Sequence, residues 1–251
     1  MLVRLERKFF TYWFRWKNFI NKSGKKIFFY TDSRGHDVLG HFKRFARGSY
    51  VEHFFKEYNV TYYICPEKYT MIVDFLVLAE KIDLSQYDYV VLHCGVVDFS
   101  PRPLSNIENV KASKDGVGYF DFLFKANSEY YAHPTDVEYY NEKTINLYSP
   151  AFLRTEVIPK LKKIKNLVWV NSNHFVSGWE GNFKKGRPAN INQLVADFDN
   201  ILVEELPNVV NIKDWSDEEV KKFTIDNIHF TKQGFKELYK RINAVCKRIG
   251  N

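Results

Sequence analysis

Cysteine is scarce: Cys65, Cys94 and Cys246 are the only three in 251 residues, and none forms a C-x-x-C pair. Three thiols cannot all be bridged within one chain, which argues against a disulfide framework and for a reducing, cytoplasmic compartment. No stretch supplies the ~20 uninterrupted apolar residues of a membrane span. Linkers, internal repeats and low-complexity tracts are also missing, so a single body is expected at this length. Neither G-x-x-x-x-G-K-[ST] nor G-x-G-x-x-G occurs, which leaves nucleotide binding without support. His93, His174 and Asp98 match no zinc spacing, so no metal and no cofactor is expected.

What the chain does have is cationic charge, and its position matters more than its size. The formal net charge is +7. Residues 1–26 hold Arg4, Arg7, Lys8, Arg15, Lys17, Lys22, Lys25 and Lys26 against Glu6, which leaves 29 cations and 29 anions in the rest. A neutral body argues against nucleic acid as a partner.

The same N-terminal segment places Leu2, Leu5, Phe9, Tyr12, Trp13, Trp16, Phe19 and Ile20 on one predicted helical face, with Arg4, Lys8, Arg15 and Lys22 opposite. Arg15 and Lys17 interrupt the apolar run and no cleavage site follows, unlike a signal peptide. Two readings stand: residues 1–20 lie against the inner face of an anionic membrane, or the helix docks on the domain or on a second copy.

From residue 26 onward, short β-rich runs alternate with helical periodicity. The runs are Ile27–Thr31, Val60–Cys65, Tyr89–Cys94, Leu167–Asn171 and Val209–Ile212. Helices are predicted over Asp37–Tyr58 with a break at Gly48, Met71–Ile82, Pro150–Lys163, Asn190–Leu206, and from Thr231 onward. This pattern predicts an α/β fold: a five-stranded parallel sheet in three layers, flavodoxin-like, with helices on both faces. The organisation expected is an amphipathic helix over 1–25 and a domain over 26–251. Residues 100–149 fit no strand-helix alternation and read as an insertion, an aromatic lid or a small hydrophobic subdomain.

Open parallel sheets bind ligands beyond the carboxyl ends of their strands. There the sequence places Thr31-Asp32-Ser33-Arg34-Gly35, Gly95-Val96-Val97-Asp98, Asn171-Ser172-Asn173-His174 and Asp226-Asn227-Ile228-His229. A serine hydroxyl becomes a competent nucleophile when an imidazole accepts its proton and a carboxylate orients that ring. Ser33, His229 and Asp226 are the candidate nucleophile, base and orienting acid. Cys94 beside His93 is the rival nucleophile pair, but neighbours in a strand point to opposite faces.

Tyr30-Thr31-Asp32-Ser33 resembles the GDS segment of the SGNH/GDSL hydrolases. Asp226-Asn227-Ile228-His229 leading into the last helix resembles that family's D-x-x-H segment, and Gly95-Val96-Val97-Asp98 its G-x-N-D segment. The resemblance runs from Lys26 to Ile249 and implies ester chemistry on an acylated small molecule, lipid or glycan. Two departures stand out. Val97 replaces the asparagine that donates to the oxyanion, and Cys65-Pro66 replaces a glycine whose N–H does the same. Losing one such donor costs roughly 100- to 1,000-fold in rate. The main-chain N–H groups of Ser33 and Arg34, with Gly95 and the side chains of Arg34, Asn171 and Asn173, are the candidate replacements. The expected activity is that of a serine esterase or O-acyltransferase on an acetylated carbohydrate, the alternative being a non-catalytic glycan- or membrane-binding module. Oligomeric state stays open.

Overall fold

The computed structural model describes residues 2–250. Helix α1 (Leu2–Ile20) leads into β1 (Lys26–Thr31), followed by α2 (Tyr50–Phe54), β2 (Asn59–Ile64), α3 (Ile72–Ala79), β3 (Tyr89–His93) and the one-turn α4 (Val96–Phe99). The segment over 100–149 holds β4 (Arg102–Pro103), α5 (Leu104–Ser113), α6 (Gly118–Ala126), α7 (Ser128–Tyr131), β5 (Glu138–Tyr139) and β6 (Glu142–Ile145). Then come α8 (Pro150–Phe152), α9 (Ile158–Lys162), β7 (Leu167–Val170), α10 (Ile191–Glu205), β8 (Val209–Val210), α11 (Asp217–Phe223) and α12 (Lys232–Ile249).

The large sheet runs β2-β1-β3-β7-β8, and every adjacent pair is parallel. Side chains alternate along β1: Ile27 and Phe29 join the layer holding α2 and α12, while Phe28 and Tyr30 join the layer holding α3 and α10. A strand covered on both faces is apolar at every position, which is why these strands read as continuous runs. The three-layer expectation is met, with strand ends within one or two residues of those predicted.

Two helical expectations need correcting, while Pro150–Lys163 is helical without a break as far as Lys162, widened to a π turn over Leu153–Val157 ahead of Pro159, which has no N–H to continue the ladder. Over Asp37–Tyr58 only Tyr50–Phe54 is helical, because the Asp37 carboxylate accepts from the N–H of Leu39 and Gly40, and Arg44 and Gly48 take positive φ. The second correction concerns α1. The face it docks carries Phe14, buried, with Phe10 and Trp13. Leu5, Phe9, Tyr12, Trp16, Phe19 and Ile20 are each more than half exposed. Asn18 sets this orientation: its amide accepts from the N–H of Val60 and donates to the Val60 carbonyl, both at 2.8 Å, closing the open edge of β2 as a neighbouring strand would.

The aromatic residues of 100–149 are mostly structural. Phe120 and Phe124 are buried in the same core as α3 and α10, and Tyr119, Tyr130 and Tyr131 pack against it. Tyr139 and Tyr140 line one surface cavity and Phe120 lines another. Of the two readings, an aromatic lid or a small hydrophobic subdomain, the packing favours the second.

Candidate active site

Ser33 opens a single 3-10 turn directly after β1. Asp32 holds that turn: its N–H donates to the His93 carbonyl at 3.0 Å and its carboxylate accepts from the Arg34 N–H at 2.9 Å. The nucleophile's backbone is thus fixed from β3 on one side and by an Asx turn on the other.

His229 and Asp226 arrive from the loop between α11 and α12. The loop is pinched shut by an antiparallel bridge between Thr224 and Phe230, inside which the Ile225 N–H donates to the His229 carbonyl at 2.8 Å. Asn227 sits at φ +68, a conformation asparagine tolerates, and its amide accepts from Val176 N–H and donates to the Trp179 carbonyl. Gly181 has no room for a side chain, since a Cβ there would lie 2.0 Å from the Ile225 carbonyl oxygen. The 171–186 segment and the acid-base loop are therefore locked together.

In this frame Ser33 Oγ lies 3.0 Å from His229 Nε2, and His229 Nδ1 lies 2.8 Å from Asp226 Oδ2. The other carboxylate oxygen accepts from the N–H of Ile228 at 3.0 Å and of His229 at 2.7 Å. Burial pushes the Asp226 carboxyl up, but the His229 ring and those two N–H groups outweigh it and hold the carboxyl below its ordinary value. An anionic Asp226 accepts the Nδ1 proton, which leaves Nε2 as the acceptor facing the serine hydroxyl.

The expected oxyanion groups fare differently. The Arg34 side chain is buried against Asp32 in an ion pair at 3.0 Å and reaches the Asn171 carbonyl and Ser172 Oγ, while its N–H is taken by Asp32. Asn171 uses its amide on Asn211 and the Ile212 N–H. Asn173 donates to the carbonyls of His174 and Asn227. All three are braces for the strand-end loops, because in buried surroundings each amide or guanidinium is drawn to a main-chain or carboxylate partner. Gly95 takes φ +141 at the start of α4, where a Cβ would come within 3.0 Å of the Phe99 ring. Cys65 takes φ +47 at the end of β2, a conformation glycine favours, but its N–H is spent on the Thr31 carbonyl at 2.7 Å. The N–H groups of Ser33 and Gly95 have no acceptor among the described residues, and that of Ser33 is a donor left at the nucleophile itself.

Asp98 is structural, accepting from the Ile72 N–H and the Tyr148 hydroxyl. Burial pushes its carboxyl up to about 7. Cys94 and His93 are fully buried and His93 Nδ1 meets the Tyr50 hydroxyl, so neither faces the site. His36, unremarked in the sequence, lies near His229; burial pushes it down to about 4, so it is neutral near pH 7. Arg187 was also invisible to motif reading, although it donates to the Asp226 carbonyl at 2.6 Å.

The strand order β2-β1-β3-β7-β8, with a serine after β1 and an Asp-x-x-His loop before the last helix, meets the three-layer fold that the resemblance to the SGNH/GDSL hydrolases implied. Among solved structures, the chain is similar to a lipase/acylhydrolase from Enterococcus faecalis, at 14% identity over 89% of this chain and 96% of that one, TM-score 0.52. It is also similar to a protein from Lactobacillus plantarum, at 12% identity over 90% and 97%, TM-score 0.51. No family model matches the sequence, and a search of curated proteins finds no match.

Proposed function

We propose that this protein is a serine-dependent acyl-ester hydrolase or O-acyltransferase acting on an O-acetylated carbohydrate. The observation that carries the reading is the unbroken relay from Ser33 Oγ through His229 to Asp226. Ser33 Oγ attacks the acyl carbonyl while His229 Nε2 takes the hydroxyl proton and returns it to the departing alkoxide. The acyl-enzyme is then opened by water or by a sugar hydroxyl, whose proton passes through His229 back to Ser33. The two outcomes differ in how well water is kept from the acyl-enzyme. The test is turnover of p-nitrophenyl acetate: Ser33→Ala should lower it by roughly 10³- to 10⁴-fold or more. Undiminished turnover in that variant, or none in the wild type, would favour a binding module.

The N-terminal helix supports a location for this chemistry, the face of an anionic bilayer. Leu5, Phe9, Tyr12, Trp16 and Phe19 follow a 4-3-4-3 spacing and form one exposed apolar stripe. Arg15, Lys17 and Lys22 sit over the rings of Tyr12, Trp16 and Phe19, so cations flank the stripe. Apolar rings bordered by cations on a segment of charge +7 match acyl chains beneath anionic headgroups. Co-sedimentation with phosphatidylglycerol-containing vesicles should exceed that with phosphatidylcholine alone. A light-scattering dimer with no vesicle binding would contradict it.

A further inference from the structure

Two arginines, Arg102 and Arg187, lack an ion-pair partner among the described residues, and one of them touches the loop of the candidate active site. Arg102 donates to the carbonyl of Val97, the residue standing where an oxyanion-binding asparagine was expected, and to Asn106 Oδ1. Arg187 donates to the carbonyl of Asp226. Neither has a carboxylate within ion-pair distance among the described residues, and each leaves its buried Nε without an acceptor. The nearest anions stop short of ion pairs with them. Asp98, beside Arg102, is pushed by burial up to about 7 and so is partly protonated near neutrality. Asp226 and Glu180 favour the charged form of Arg187 from beyond ion-pair distance, while their own hydrogen bonds go to His229 and the Gly186 N–H.

Both guanidinium groups line one cavity of about 220 Å³, together with Tyr139, Tyr140, Phe183 and Asn106. The Tyr139 and Tyr140 rings lie 4.2 Å apart, and Arg187 is stacked on Phe183. This volume is below the ~300–1,000 Å³ of pockets for drug-sized ligands, which suits a single ring. A half-buried guanidinium with no ion-pair partner is held at a cost that an arriving anion relieves, and its fork matches a carboxylate or phosphate. Aromatic faces beside it offer an apolar wall to a sugar ring.

We propose that this cavity binds an anionic sugar, a single hexose carrying a carboxylate or phosphate, as the glycan partner of the acyl chemistry. The assignment rests on the hydrolase or transferase reading for its role, and on Arg102 and Arg187 for its ligand. Arg187 contacts the loop that carries Asp226 and His229, so ligand charge is sensed beside the acid-base pair. It follows that a neutral sugar of the same shape is discriminated against.

Calorimetric titration of the full chain with glucuronate, glucose 1-phosphate and glucose tests it. At least one anionic sugar should bind tenfold or more tightly than glucose, with affinity falling as salt rises. Arg102→Gln and Arg187→Gln should each lose at least tenfold, and Tyr140→Ala, at an exposed position that leaves folding intact, should weaken all sugars. Binding that persists in Ser33→Ala beside a wild type inert to esters would keep the pocket and remove the hydrolase. Ester turnover with equal affinity for glucose and the anionic sugars overturns the pocket and leaves the hydrolase.

Discussion

Arg34 shows how a side chain's partners decide its use. Next to the nucleophile in sequence it looks like an oxyanion donor, yet it is buried with Asp32 in an ion pair whose Nε meets both carboxylate oxygens at 3.1 Å. Removing one member of such a pair strands the other charge in the interior, at about 3–5 kcal/mol. Asp32→Ala and Arg34→Ala should each lower the denaturant midpoint by a corresponding amount and destroy the Ser33 turn. An unchanged midpoint would show the pair to be expendable. Asp98 makes a prediction about pH. Its folded carboxyl titrates near 7 rather than near 3.8, so the folded state holds a proton the unfolded state has released. The associated stability is present below about pH 4 and is lost as pH rises to about 7. His36, pushed down to about 4, works in the opposite direction between about 4 and 6.5, so the difference between two proteins is the clean measure. Thermal stability of wild type minus Asp98→Asn should fall from pH 5 to pH 8; a flat difference would remove the buried carboxyl from the account.

At the scale of elements, α1 carries the largest departure from the sequence reading. Its periodicity was legible as amphipathic, but periodicity cannot say which of two apolar faces meets the domain. Asn18 and Asn21 decide that by bonding to the main chain of residues 55–60, a contact 34 to 42 residues away in sequence. The double variant Trp16→Glu, Phe19→Glu on the exposed stripe should keep the melting temperature within a few degrees, because both positions are solvated in the fold. The same variant should abolish vesicle co-sedimentation; retained binding would reassign the membrane contact. Strands were legible because β1, β3 and β7 are apolar at almost every position. The 37–49 segment was misread as helix because the Asp37 turn and the left-handed Arg44 are local backbone choices that hydrophobic spacing does not register.

For the whole molecule, the order of strands and of polar rims was readable, since each strand end is marked by a change from apolar to polar residues. Ser33, Asp226 and His229 were legible because they sit in segments that resemble known GDS and D-x-x-H motifs and supply together the three groups that acyl transfer needs. Arg102 and Arg187 were not, because each meets the site through a main-chain carbonyl brought near by the fold, with no local motif. Asn171 and Asn173 were overread for the reverse reason: placement at a rim does not show that an amide is free. What the molecule does depends on a hydroxyl and an imidazole, 196 residues apart, sharing one proton across the sheet rim. The direct measurement is peptide mapping of the adduct formed with a fluorophosphonate. The account predicts a single modified residue, Ser33, labelled in the wild type and not in His229→Ala; an adduct at another residue, or equal labelling in that variant, would contradict it.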